Sequence, residues 1–133
     1  MILIIFTALF SYMFFFSVAV APTISMNLDE ENRTVLLRKI FPKNFLFGLI
    51  LSIIGVFFCF YENELYGIIL LFLIGILFLI NLFVLIPKIN FASDEIKTGK
   101  KNFLKIFKKL HLLSVVLYTI QMLLSIVGIC VFF

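Results

Sequence analysis

No charged residue occurs between Met1 and Leu28, and three further apolar runs of bilayer length follow it. This leaves the backbone few ways to fold. In lipid every peptide group must find its hydrogen-bond partner inside the protein, and a run of about twenty apolar residues does so as an α-helix. The expected spans are about 2–24, 44–61, 65–86 and 103–132. Composition agrees: with 64% hydrophobic residues, 14% charged residues and a mean hydropathy of +1.25, a water-soluble fold would expose much apolar surface. The reading is an all-α membrane protein, one four-transmembrane-helix domain over residues 1–133, with a short amphipathic helix at about 28–41 between the first two spans. Ala19, Val20 and Ala21 fit a signal-peptide cleavage site. However, no base precedes the apolar run and cleavage would export the bases that follow, so the first span is expected to be retained.

In the first connection, Asn27 suits an N-cap with Glu30 three residues on, and Asp29 is placed to pair with Arg33. Acids crowd the first turn and bases the last, as the helix dipole favours, and such a helix is expected to lie in the membrane interface. Pro42 is expected to break the chain direction and start the second span. There Gly48, Ser52, Gly55 and Cys59 form a face of small residues, expected against the fourth span's polar stripe or the first span. The turn at Tyr61–Leu65 is too short for anything but a tight reversal, with Tyr61 and Tyr66 as interfacial anchors. In the third span Gly67 and Gly75 offer close-packing points and Asn81 is expected to bond across to another helix, while Pro87 is expected to end it. Cys59 and Cys130 are expected at the same face, as two buried inert thiols or, in an oxidising compartment, a disulfide.

All eleven bases fall in the first and third connections, four and seven respectively. The positive-inside rule then puts both connections in the cytoplasm and both termini outside, in a membrane read as the bacterial inner (plasma) membrane. The expected partners are the bilayer itself and, for the basic stretch 97–109, anionic lipid headgroups; nucleic acid is not expected.

The fourth span carries the one regular file of polar groups: His111, Ser114, Tyr118, Gln121, Ser125 and Gly128, at spacings of three, four, three, four and three. On a helix these share a stripe, which cannot face lipid cheaply and is expected to face other helices or a small internal cavity. Ser114 is expected to bond back within its helix or bridge to a neighbour. His111 is read as an interfacial ring bonding a loop carbonyl or Asn27, with a proton-passing role or metal ligation as alternatives.

The run Val18-Ala19-Val20-Ala21-Pro22-Thr23-Ile24 with Arg38-Lys39-Ile40-Phe41-Pro42, then Asn81 through Pro87-Lys88-Ile89-Asn90, then Phe107 to His111 and Ser114, resembles the membrane family typified by transmembrane protein 205, the DUF4149 type. The similarity covers nearly the whole chain in order. Tyr118 departs from the asparagine relatives often carry, so no shared role is assigned to it. The resemblance implies a four-helix integral membrane protein, in which Pro22, Asn27, Pro42, Gly48, Ser52, Gly55 and Pro87 are structural positions, and it implies no known reaction. The plan is also distantly similar to four-helix proteins that handle copper or haem. Here His111 is the only histidine, so bis-histidine haem would require a dimer sharing the cofactor, and copper would have to borrow Met13, Met26 or Met122. No cofactor is expected, with haem or copper as the alternative. No catalytic constellation is found, so the chain is read as non-enzymatic, its polar seam fixing helix packing or binding a small ligand or lipid. A small transport subunit and a homodimer packed through small faces stay open.

Overall fold

The computed structural model describes residues 1–133 and is helical almost throughout. α1 (Ile2–Phe15) passes through a π-helical turn (Phe16–Val20) into α2 (Ala21–Asn27). α3 is Glu30–Tyr61; α4 (Leu65–Ile80) passes through a second π turn (Asn81–Leu85) into α5 (Ile86–Lys97); α6 is Phe103–Phe132. These make four rods of 26, 32, 33 and 30 residues, each long and apolar enough to cross a bilayer, as in an integral membrane protein. Each rod packs on the next and the fourth packs back on the first, a square up-and-down bundle. Phe6, Leu9 and Met13 from α1 and Leu71, Ile74 and Phe78 from α4 fill its centre, while Phe14, Phe57, Phe60, Phe72, Phe83 and Val127 face outward. Apolar side chains on the outside are what a lipid-facing surface requires.

The small-residue face of α3 settles on α4 and α1 instead of the polar stripe. A methyl on Gly55 would strike Leu71 and Ile5, and one on Gly48 would meet the Tyr12 hydroxyl and the Phe78 ring. At the far end of α6, Gly128 admits the Phe6 ring, which stacks on Phe132 at 5.8 Å between centroids.

Several expectations fail, each for a physical reason. Pro42 does not start a helix: α3 runs unbroken through it, and the amphipathic stretch near 28–41 is simply the first third of that rod. A proline inside a helix removes one hydrogen bond and crowds a carbonyl, here that of Arg38. That loss falls where the charged part of the rod begins, and the rod is held by the Arg38–Asp94 ion pair at 2.5 Å to α5. Pro87 does not end its helix either, because the preceding π turn widens the helix where the proline ring needs room, and α5 continues to Lys97. Pro22 follows the first π turn in the same way, so the first rod stays helical to Asn27.

Asn27 is not a cap. It closes α2, its amide donating to the Thr23 carbonyl at 2.8 Å, and the chain reverses at extended Leu28. Asp29 caps α3 instead, accepting from the Asn32 side chain at 2.6 Å and its backbone N–H at 3.4 Å. These bonds hold the Asp29 carboxyl below its usual range, and Arg33 turns to the Ser25 carbonyl at 3.4 Å instead of pairing with Asp29. Finally, Cys59 is buried beside Gly67 while Cys130 is exposed, and both thiols are free.

The two halves share one plan. The second π turn begins 65 residues after the first, as Pro87 follows Pro22 and Asp94-Glu95 follows Asp29-Glu30. After a one-residue step the offset is 66: Lys39-Ile40-Phe41 matches Lys105-Ile106-Phe107. Four of the five buried positions of α3, Gly48, Ser52, Gly55 and Cys59, match Ser114, Tyr118, Gln121 and Ser125 of α6, while buried Phe45 matches exposed His111. The bundle is thus two helical hairpins of the same design, both starting at the same end, and the ring order maps onto itself when the hairpins are exchanged.

Candidate functional site

About twenty residues suffice to cross a hydrocarbon core of roughly 30 Å. The second, third and fourth rods exceed that by ten residues or more, and the surplus projects from one end. Counting from the tight turn at Tyr61–Leu65, the level of emergence falls near Pro22, Pro42, Pro87 and Lys109. At and beyond this level lie all eleven bases and five of the seven acids, an excess of six positive charges, whereas the other end holds Glu62 and Glu64.

The projecting ends enclose a cavity of about 790 Å³ that reaches down between the rods. Phe16, Phe45 and Met122 form its floor, Phe41 and Phe107 stand on its walls, and Arg33, Asn90, Lys97 and His111 lie toward its rim. Two bonds tie the lower wall together across the bundle. The Ser114 hydroxyl donates to the Asn81 side-chain carbonyl at 2.6 Å, and the Asn44 amide donates to the Tyr118 hydroxyl at 3.0 Å. The Tyr118 ring meets Phe45 edge-on at 5.7 Å. Higher up, Arg38 joins the hairpins by its bond to Asp94 and by donating to the Asn90 carbonyl at 3.1 Å.

The polar file of α6 therefore divides. Ser114 and Tyr118 line the cavity. Gln121, Ser125 and Gly128 lie deeper in close packing: Gln121 donates to the Ile74 carbonyl at 3.0 Å and Ser125 back to the Gln121 carbonyl at 2.9 Å. The Gln121 side-chain carbonyl has no partner. His111 leaves the buried stripe altogether. It is exposed, lines the cavity, stacks on Phe107 at 6.2 Å with the rings 3° from parallel, and bonds neither Asn27 nor a loop carbonyl. The reason is helical geometry. Steps averaging 3.4 residues wind by roughly 100° around a straight 3.6-residue helix over the length of this file, so its ends cannot share one face.

The methionines that a copper site would borrow lie on different elements. Met13 is fully buried in the core, Met26 is exposed on α2, and Met122 is three turns along α6 from His111, about 16 Å of rise away. What the cavity offers instead is apolar depth with a few hydrogen-bonding groups, the usual make-up of a site for a small organic molecule. Spacing on α6 pointed to Ser114 and Tyr118, but not to Asn44, Phe41 or Phe107, which come from the corresponding turns of the two hairpins. The shared Lys-Ile-Phe triplet is the sequence signal that marks Phe41 and Phe107, and nothing comparable marks Asn44.

The cavity also opens sideways. The first rod lies along α6 from Phe6 in α1 up to Ser17 in the π turn, whose hydroxyl approaches the Met122 sulfur at 4.0 Å; beyond this level α2 turns toward α3. Phe14 and Val18 on one side of the gap and Val115 on the other line the cavity and yet are 49%, 59% and 47% exposed.

A family model described as a domain of unknown function (DUF4149) matches residues 4–98, the first hairpin and the third rod. No curated protein and no solved structure matches the chain.

Proposed function

The chain belongs to the DUF4149 family, on a match that takes in residues 4–98 of its 133, and from that premise we propose that it is a non-enzymatic membrane protein that holds an amphiphilic small molecule in the cavity at its basic end. One observation carries this reading: a cavity of about 790 Å³ is ample for a ligand of drug or lipid size, and its wall changes from phenylalanine at the floor to bases at the rim. The positive-inside rule supports a topology with the basic end in the cytoplasm, both termini outside, and the plasma membrane of a bacterium as its location. The upper polar file serves as the ligand's hydrogen-bonding wall and the lower file as packing.

The test is native mass spectrometry of protein purified in mild detergent, with an absorption spectrum of the same sample. A retained amphiphile, reduced in Thr119→Trp, which places an indole at the cavity wall, is the expected result. Protein released without any adduct would overturn the proposal, and a Soret band or stoichiometric copper would replace it with a cofactor-binding role built on His111.

A further inference from the structure

Building on that reading, we infer that the occupant is a phospholipid with an anionic headgroup, which enters sideways from the surrounding leaflet between the first and fourth rods and is gripped by one base from each hairpin, Arg33 and Lys97. Three independent features lead to this occupant. The first is the opening. A ligand arriving from water would need only a mouth at the rim, but this cavity is also breached at the level of Phe14, Val18 and Val115, exposed apolar side chains inside the span of the bilayer. Such a gap admits acyl chains and nothing that carries its charge in the middle.

The second feature is charge. Among the three rim bases, Arg38 is engaged by Asp94 and the Asn90 carbonyl, whereas Arg33 and Lys97 face the cavity with no acid partner; Glu30 is the only acid on the wall. They stand in a field of six excess positive charges at this end of the molecule. The third is depth. Arg33 starts well above the level of Pro42, but its guanidinium bends down to the Ser25 carbonyl, three residues past Pro22. That is about 4.5 Å of helix beyond the hydrocarbon edge, where the phosphates of a leaflet lie. A lipid seated here puts its phosphate at Arg33, its glycerol beside His111, and one chain toward Phe16, Phe45 and Met122.

The experiment reconstitutes the full chain in nanodiscs of equal phosphatidylglycerol and phosphatidylcholine, releases it into detergent, and measures which lipid stays bound by native mass spectrometry. Retention of phosphatidylglycerol over phosphatidylcholine is expected. Arg33→Gln should weaken that preference about tenfold, as expected for removing a charge-assisted hydrogen bond, and Lys97→Gln should act in the same direction. Lys105→Gln, a base off the cavity, should leave it unchanged. Val18→Trp together with Val115→Trp, both at exposed positions that tolerate bulk, should slow uptake of a fluorescent phosphatidylglycerol from vesicles. Equal retention of both lipids would overturn the anionic headgroup while leaving the cavity reading intact. Retention of neither would overturn the cavity reading itself. Unchanged uptake in the double tryptophan variant would overturn sideways admission, and displacement of the bound lipid by soluble glycerol phosphate would overturn a membrane source.

Discussion

Replacing Gln121 with leucine separates a seam that packs from a seam that works as a connected polar network. Gln121 is fully buried, and its amide N–H reaches the carbonyl of Ile74 in the middle of α4, a carbonyl that already lies within its own helix ladder. Its other end, the side-chain carbonyl, has no partner. Leucine abolishes the interhelical bond, a loss of about 0.6 kcal/mol on average between membrane helices and about 1.7 at most. It also removes an unpaired buried acceptor, which costs about 1–3 kcal/mol while present. Because the two side chains are similar in bulk, repacking adds little. The balance runs from little net change to a gain of about 2 kcal/mol. Gln121→Ala gives the contrast: it removes the same polar groups but opens a void, for a loss of about 2–4 kcal/mol. Reversible unfolding of both variants in detergent mixtures titrated with dodecyl sulfate measures the two changes. A loss beyond about 2 kcal/mol for leucine, equal to that for alanine, would show that the carbonyl is engaged inside the membrane. The division of the file into a packing half and a ligand half would then be refuted.

The glycines give a sharper steric contrast. Gly128→Ala drives a methyl into the Phe6 ring and Gly48→Ala into Tyr12 and Phe78, so each should lower stability by about 1–3 kcal/mol in the same unfolding assay. Gly75→Ala meets only ordinary contacts, the nearest at 3.6 Å, and should leave stability unchanged. At the Asp29 cap the folded carboxyl titrates below its unfolded value, so its stabilisation is fully present above the unfolded pKa and is lost as pH falls through the folded one. Hydrogen exchange over residues 28–34 should therefore speed up on acidification, relative to the pH dependence of intrinsic exchange, in the parent but not in Asp29→Ala. A reporter that is active only outside the cytoplasm should be active when fused after Phe133, and activity restricted to a cytoplasmic reporter would invert the topology.

What could be read from the residues is what depends on local length and composition. The four rods, the reversal at Tyr61–Leu65 and the Asn81 cross-bridge all follow from apolar run length or from the needs of one buried amide. What escaped depends on the third dimension. Pro42 and Pro87 carry the local rule for stopping a helix, and only the emergence level and the π turn explain why they do not. Asn27 carries a capping signal as good as that of Asp29, and the extended backbone at Leu28 decides between them. His111 shares the spacing of the polar file, but the winding of a straight helix turns it out of the core. The cavity has no local signature, since residues far apart in the chain, from all four rods, line it together.

The hairpin repeat explains why the cavity is polar on one side. The family match ends at Thr98 and leaves out α6, yet α6 occupies in the second hairpin the place α3 occupies in the first. Where α3 presents Phe45, Gly48 and Ser52, α6 presents His111, Ser114 and Tyr118, while Phe41 and Phe107 remain equivalent. The small residues of α3 let α1 and α4 close against it and leave no space; the larger polar residues at the matched turns of α6 hold bonds to Asn81 and Asn44. A fully symmetric pair of hairpins would enclose either a sealed apolar core or a polar channel. The departure from symmetry at three turns of one helix yields instead a pocket with distinguishable sides, able to fix which way round an amphiphile lies. Restoring the symmetry with Ser114→Gly and Tyr118→Ser should then let α6 close as α3 does. The expected outcome is a protein that still inserts but no longer retains lipid, read by the same mass spectrometry.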